Sequence, residues 1–304
     1  MIKNKKEILK ILKNRNYNFL NNESMKKHTT FGIGGDVQIL IFPKNELEII
    51  ELMKLIKKYN IKYYLLGSGS NVLIHDEKID AIIISLKKSF KTIEFNKDNV
   101  TVGSGTMLGT LVKKLNSKNI TGYESLIGVP GTVGGALIMN AGAFGAEISN
   151  NFISAKTINK NGEIKKYSKN QVSFLYRNSS FPKDEILINS TFKCTIGNPE
   201  EINNKRIKTS QDRKNKQPLK YRSAGSIFKN PKGEFSAGYL IDKTGLKGMK
   251  IGNAQISEKH ANFIINLGNA KSNNVMELIQ IIQNRVYNKF KIMLELEIKL
   301  IGIV

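Results

Sequence analysis

The chain has 304 residues and a formal net charge of +23, from 48 Lys and Arg against 25 Asp and Glu. That length allows two or three domains, each with its own core. No apolar run approaches the ~20 residues a membrane span needs. The Lys-rich residues 1–13 are broken by charge and hold no signal-peptide core, and Cys194 stands alone, which excludes an intrachain disulfide. Both features point to a cytoplasmic chain. The charge invites a nucleic-acid reading, but Lys and Arg are scattered along the chain without a recognised binding motif. Compositional drift explains them, and the basic field still attracts polyanionic substrates and cofactors.

In chain order, Asn45 is an N-cap before a helix whose apolar positions Leu47, Ile50 and Met53 recur at helical spacing. Strand-like runs at residues 37–42, 63–66 and 81–85 surround it, forming a small α/β unit. Residues 99–104 read as a strand, 107–115 as an amphipathic helix, and 152–157, 163–167 and 185–195 as further strands of a β-rich second unit. Cys194 lies in alternating, strand-like surroundings, as a structural thiol does and a nucleophile seldom does. From Ile202 the pattern is polar and helical, then turn-rich over residues 217–238. A third unit follows, with a strand at 261–266 and a helix at 274–288 that places Val275, Leu278, Ile279, Ile282 and Val286 on one face. Residues 294–304 alternate like a closing strand.

Three glycine-bearing segments carry the chemical signal. They are Thr29-Thr30-Phe31-Gly32-Ile33-Gly34-Gly35, Leu66-Gly67-Ser68-Gly69-Ser70-Asn71-Val72-Leu73, and residues 128–145, where Gly128, Gly131, Gly134, Gly135, Gly142 and Gly145 stand among small apolar residues and one amide, Asn140. Glycine lets main-chain N–H groups approach a ligand with no Cβ in the way, as in a cradle for a diphosphate. Hairpin turns explain any one cluster alone, the Gly32 cluster included, but not why each joins an apolar run to hydroxyl or amide residues. Gly103-Ser104-Gly105 reaches its next glycine only at Gly109, one position late for the dinucleotide fingerprint, and no P-loop is present. The expectation is a nucleotide-bearing cofactor on a scaffold that is neither Rossmann nor P-loop.

Single residues give weaker signals. Ser226, in Gly225-Ser226-Ile227-Phe228-Lys229-Asn230-Pro231, is a hydroxyl that a turn could hold towards a cleft, and no nucleophile elbow surrounds it. Arg177, between Tyr176 and Asn178, suits a guanidinium clamp on a carboxylate or a solvated surface charge. Glu295 and Glu297 share one face of the closing strand, so pattern alone does not choose between them. His28, His75 and His260 show no metal-ligand spacing, and His260 reads as structural.

The same segments, in order, carry a resemblance. With His28 to Gly35, Gly67-Ser68-Gly69-Ser70-Asn71, residues 128–145, Tyr176-Arg177, the Gly225–Pro231 run, His260-Ala261-Asn262-Phe263 and Leu294-Glu295-Leu296-Glu297, residues 21–302 resemble the flavin-dependent UDP-N-acetylenolpyruvoylglucosamine reductases, which make UDP-N-acetylmuramate for peptidoglycan. The resemblance implies an α+β fold: an FAD-binding fold of the vanillyl-alcohol-oxidase type with two α/β subdomains and a smaller α/β substrate domain. The subdomains would be residues 1–88 with the closing strand 296–304, and 89–208; the substrate domain would be 209–295. It implies non-covalent FAD, NADPH as co-substrate, a small UDP-sugar substrate and, by the same reading, a monomer bound to neither nucleic acid nor membrane. Cofactor contacts would come from Gly67, Ser68, Gly69, Ser70, Asn71, Gly131, Thr132, Gly134, Gly135, Asn140, Ala141 and Gly142, and substrate contacts from Lys229 and Asn230.

The catalytic positions carried over are Arg177, Ser226 and Glu297. In the family, hydride passes from the reduced flavin to the enolpyruvyl double bond. Arg177, together with Glu297 protonated through burial, would stabilise the resulting anion, and Ser226 would protonate the neighbouring carbon. Arg177 and Ser226 lie 49 residues apart (226 − 177), which leaves little room for the tyrosine-bearing loop of longer relatives, and the chain resembles the shorter subclass. Arg222 stands where proline is more usual, so the turn presenting Ser226 is expected to be looser; Leu296 and Lys299 replace proline and arginine of some relatives. Two other readings compete: another flavoenzyme of this scaffold acting on a small alcohol or sugar, and a basic binding protein without catalysis. Residues 67–73 and 128–145 contain no His or Cys for the covalent flavin tether many such oxidases use.

Overall fold

Branched and aromatic residues supply the strands, and helical stripes of Leu, Ile and Val cover them, in the computed structural model, which describes residues 2–303. The chain forms two compact units. The first comprises Met1–Glu23, Gln38–Ser68 and Asp80–Gln211; the second comprises Ser24–Val37, Gly69–Ile79 and Asp212–Val304.

The first unit holds two sheets. Four strands run in the order Phe19–Ser24, Asp36–Ile41, Ile79–Ile84, Tyr63–Leu65, the last two in parallel. Helix Glu46–Lys58 buries Ile49, Leu52, Met53 and Ile56 in the accompanying core, and its N-cap Asn45 accepts from the Glu48 N–H as expected. Leu47, the first of the apolar positions read at helical spacing, is 64 % exposed. The segment offers two apolar stripes one residue out of step, and the longer one faces inward.

Five antiparallel strands form the second sheet, in the order Ile164–Ser168, Phe152–Ile158, Ile186–Lys193, Asn99–Gly103, Ile93–Asn96. Helix Leu108–Asn116 buries Leu108, Leu111, Val112 and Leu115 against this core. Phe152 lies at its centre, edge-on to Phe174, Phe181 and Phe192. Cys194 belongs to the same core, and burial raises its thiol pKa, in keeping with a structural role.

The second unit is built on the strands Arg222–Ser226, Phe263–Asn266, Ala254–Ile256 and Lys250–Ile251, paired in that order. Helix Ser272–Phe290 buries the five predicted apolar residues, Val275, Leu278, Ile279, Ile282 and Val286, in this core. Strand Lys299–Ile301 pairs in parallel with Val72–Ile74.

Several elements depart from the sequence reading. Helix Lys5–Asn14 buries Ile8 and Leu12 in a stretch read only for its charge. The turn-rich stretch 217–238 contains strand Arg222–Ser226. Of the closing run 294–304, only Lys299–Ile301 is strand; Leu296 makes an isolated bridge to Phe228, and Val304 lies outside the described residues. Among the described residues no helix is long and apolar enough to cross a membrane.

Glu124 anchors the turn that leads into the 128–145 segment. Its side chain is 1 % exposed, with Lys205 Nζ 3.3 Å from Oε2. Oε1 accepts from Thr121 Oγ1 at 2.8 Å and from the Gly122 N–H at 2.9 Å. Burial alone would raise the carboxyl pKa, but these donors and Lys205 outweigh it and hold the pKa below the ordinary value. A depressed folded pKa stabilises the fold above the unfolded carboxylate pKa, and that stability is lost as pH falls through the lower, folded value. Glu124→Gln is therefore expected to be less stable at neutral pH by about 1–3 kcal/mol and to flatten the loss of stability below pH ~4.5. Urea unfolding over an acid pH series checks this; parallel acid limbs for the two proteins would remove Glu124 as its source.

Candidate active site

The predicted site residues fall into two groups, one in each unit. In the first unit, the end of strand Asn99–Gly103 is sewn to the glycine-rich segment: the Gly134 N–H donates to Ser104 O at 3.0 Å, the Val133 N–H to Thr106 O at 2.8 Å, and the Leu108 N–H to Gly131 O at 2.9 Å. Thr132 caps the short helix Val133–Ile138 by accepting from the Gly135 N–H. A Cβ on Gly134 would lie 2.8 Å from Ser104 Cβ, and one on Gly67 would lie 2.8 Å from Thr132 Oγ1. These glycines permit close packing of chain on chain, a use that the reading of glycine as backbone bared to a ligand does not include. Gly135 fits that reading better, being exposed with only Thr132 Oγ1 nearby, at 3.5 Å.

Arg177 occupies a two-residue turn between the paired strands Phe174–Leu175 and Asn178–Ser179. Its φ is 56°, a left-handed conformation that costs a non-glycine residue about 1–2 kcal/mol. The turn is held from outside: Arg177 Nη2 donates to Gly142 O at 3.0 Å, Asn140 Nδ2 to Leu175 O at 3.1 Å, and Ser179 Oγ to Ile138 O at 2.7 Å. The guanidinium also lies 4.7 Å from the Tyr176 ring centroid. Thus Arg177 and the glycine-rich segment are one assembly. Asn140 is wholly buried, and its Nδ2 also donates to Glu147 Oε2 at 2.7 Å.

In the second unit, Ser226 ends strand Arg222–Ser226, and the chain beyond it runs beside residues 295–297. The Glu297 N–H donates to Ile227 O and the Lys229 N–H to Glu295 O, both at 2.8 Å. Asn71 Nδ2 donates to Glu297 O at 3.1 Å, which joins the Gly69-Ser70-Asn71 loop to the same place. Glu297 is half-buried, whereas the Glu295 side chain is 76 % exposed and pairs with Lys229 at 3.3 Å. Although sequence pattern could not separate the two glutamates, their surroundings do. Asn230 Oδ1 accepts from the Ala237 N–H at 3.0 Å.

Sequence reasoning gave no role to Asn262, whose carboxamide accepts from the Phe228 N–H at 2.9 Å and donates to Phe228 O at 2.8 Å. That clamp explains the amide in the His260-to-Phe263 motif. His260 itself has its pKa lowered, chiefly by burial, and Nδ1 accepts from the Asn262 N–H, a structural arrangement.

Arg222 corrects a second expectation. Instead of loosening the turn before Ser226, its guanidinium donates to three main-chain carbonyls, those of Lys26, Thr29 and Thr30, at 3.1, 2.8 and 3.3 Å.

The first-unit group suits a large polar cofactor on its own evidence. Ser104 Oγ, Thr106 Oγ1 and Asn140 Oδ1 are buried without partners, and all lie on or against the side-chain-poor segment. Orphaned polar atoms beside a glycine-lined surface fit a ligand rich in hydrogen-bonding groups. Among the described residues no cluster of three or more His, Cys, Asp or Glu could hold a metal.

Residues 37–168 match a family model described as FAD binding domain, which places the chain among FAD-binding flavoproteins of α+β fold. Residues 217–301 match the UDP-N-acetylenolpyruvoylglucosamine reductase, C-terminal domain. A UDP-N-acetylenolpyruvoylglucosamine reductase of Clostridium kluyveri is 44 % identical over 281 residues, 92 % of each chain. One of Caldicellulosiruptor saccharolyticus is 42 % identical over 296 residues, covering 96 % of this chain and 94 % of the relative. The crystal structure of the Thermus caldophilus reductase aligns with a TM-score of 0.80 at 34 % identity, covering 94 % of this chain and 99 % of that one. The chain belongs to the UDP-N-acetylenolpyruvoylglucosamine reductase family, and this displaces the alcohol- or sugar-oxidising alternative.

Gly69 gives this site a direct test. A Cβ there would meet His28 O at 2.0 Å, at a φ of +73°. Gly69→Ala is expected to cost more than about 1 kcal/mol of stability and to lower the flavin content of the purified protein. Thermal unfolding and the ratio of flavin to protein absorbance measure both, and a variant equal to the parent in both would exclude the close approach.

Proposed function

We propose that Arg177, Ser226 and Glu297 are the catalytic residues of this reductase, with Lys229 and Asn230 at the substrate. The protein is an FAD-dependent oxidoreductase of peptidoglycan precursor synthesis, converting UDP-N-acetylglucosamine enolpyruvate to UDP-N-acetylmuramate at the expense of NADPH. The glycine-rich segments would hold FAD, which when bound would supply the hydride chemistry between NADPH and the enolpyruvyl double bond. What the side chains must do is manage the negative charge that hydride addition leaves beside the substrate carboxylate.

Arg177 answers to that need with a fixed, planar cation. Its strained turn, braced by Gly142, Asn140 and Ser179, supports the assignment, because such strain persists only where surrounding contacts enforce it. Glu297 in its acid form donates a hydrogen bond that strengthens as the enolate develops. Ser226 then delivers the proton to the carbon next to the carboxylate. The observation that carries this reading is the Glu297 N–H to Ile227 O hydrogen bond, which fixes the carboxyl-bearing residue against the residue next to Ser226.

The cofactor residues of this reading are Gly67, Ser68, Gly69, Ser70 and Asn71 with Gly131, Thr132, Gly134, Gly135, Asn140, Ala141 and Gly142. The functional division follows the three parts 1–88 with 296–304, 89–208 and 209–295. The reading also places the enzyme in the cytoplasm as a monomer that binds neither membrane nor nucleic acid.

Anaerobic reduction by NADPH, followed by addition of the enolpyruvyl substrate, tests the assignment. Parent enzyme should bleach and then reoxidise. Ser226→Ala should bleach normally and reoxidise about 10²–10⁴-fold more slowly, and normal reoxidation would remove Ser226 from the mechanism. Glu297→Gln keeps an amide donor without an exchangeable acid proton. It should retain measurable turnover if Glu297 acts by hydrogen bonding alone; complete loss of turnover would contradict that role.

A further inference from the structure

We propose that Arg222 is a positioning residue for Ser226, closing a ring of hydrogen bonds that holds the proton donor, the Glu297 segment and the Gly69–Asn71 loop in one register. The proposal rests on the reading of Ser226 as proton donor. Every link lies within the second unit. From strand Arg222–Ser226, the guanidinium donates to Lys26 O, Thr29 O and Thr30 O, while Thr30 Oγ1 donates back to Ser223 O at 2.7 Å. The strand and the 26–32 loop are thus tied in both directions. The Thr30 N–H donates to Gly69 O at 3.0 Å, which carries the connection to the next loop. Asn71 Nδ2 donates to Glu297 O, and the Glu297 N–H returns to Ile227 O, adjacent to Ser226.

Two features explain why the strand needs this ring. Its pairing with Phe263–Asn266 shifts register between Ser223 and Ser226, leaving Ala224 and Gly225 without partners in the ladder. A bulge of this kind re-aims side chains and weakens the local ladder as a positioning device. Gly225 adds freedom, with φ +79° and open space where a Cβ would stand. The segment bearing Ser226 is therefore fixed from outside its own sheet. Gly32 lets the guanidinium lie against the loop, since a Cβ there would sit 2.5 Å from Arg222 Cζ.

The residue type matters as much as the charge. A guanidinium directs several N–H donors from one rigid plane and can serve three carbonyls at once, whereas an ammonium is a point donor on a flexible stem. Arg222→Lys should therefore not substitute for arginine, even though the charge is kept.

The test uses FAD-loaded Arg222→Met, Arg222→Lys and Thr30→Val enzymes in two measurements. In anaerobic stopped flow, bleaching by NADPH should stay within about twofold of parent, while reoxidation by enolpyruvyl substrate at saturation should slow about 10–100-fold, the scale of a small misplacement. The substrate concentration at half-maximal rate should change far less than the rate. In hydrogen exchange of the same holoenzymes without substrate, the peptides spanning 26–32 and 222–228 should both exchange faster. Equal slowing of both half-reactions, reoxidation within twofold of parent, or unchanged exchange over 222–228 would each overturn the proposal. If Arg222→Met does not retain FAD, Thr30→Val decides by the same two readouts. Failure of parent enzyme to reoxidise with substrate would sink the functional reading instead, and the exchange data would still decide whether the ring exists.

Discussion

Main-chain groups of two crossing segments reach hydrogen-bonding distance only where no side chain stands between them, and that constraint governs both groups of site residues. At Gly69 the nearest atom to a would-be Cβ is a carbonyl oxygen 2.0 Å away; at Gly134 it is Ser104 Cβ, 2.8 Å away. With any larger residue there, the Thr30 N–H could not reach Gly69 O, nor the Gly134 N–H reach Ser104 O, without the chains parting. The crossings cost conformational entropy, since glycine loses more freedom on folding than any other residue. In return, the loops are braced by hydrogen bonds instead of side-chain bulk, and their surfaces stay small and polar.

The two groups solve the positioning problem differently. Arg177 is held by strain and its compensation: a left-handed turn residue whose neighbours are fixed by Asn140, Ser179 and its own bond to Gly142. Ser226 is held by a relay of hydrogen bonds through loops distant in sequence, with Asn262 clamping Phe228 two residues further on. A permanently charged cation tolerates rigid placement from a single hairpin. A neutral proton donor is useful only over a narrow range of distance and angle, which suits a support that reaches it from several sides.

Much of the architecture was legible because it is written in local periodicity. The stripes of helices Leu108–Asn116 and Ser272–Phe290 show in a window of a dozen residues. Local patterning fails where two solutions compete, as in helix Glu46–Lys58, or where an element is too short to show a period, as in Lys299–Ile301. Helix Lys5–Asn14 carries only Ile8 and Leu12, four apart, as its buried residues among many charges, a stripe too thin to stand out. At the site, the residue types were legible and their partners were not. Nothing local to Gly67 and Gly134 reveals that Thr132 and Ser104 press against them. Arg222 read as a flaw for the same reason: its three acceptors lie more than 190 positions away in the chain.

That distance also bears on what kind of residue Arg222 is. A typical hydrogen bond contributes about 1 kcal/mol net, because the unfolded partners bond to water. Thr30 is exposed and Lys26 half-buried, and the carbonyl of the buried Thr29 also accepts from the Gly32 N–H at 3.3 Å, so removing the guanidinium does not strip Thr29 O of its protein partners. The stability at stake is accordingly small. Geometry is a different matter, since the strand it holds lacks a continuous ladder and ends at the hydroxyl that must meet a carbanion-like centre. A contact worth little to folding can therefore weigh heavily on a proton transfer, and this separation of effects distinguishes a positioning residue from one that merely keeps the chain folded.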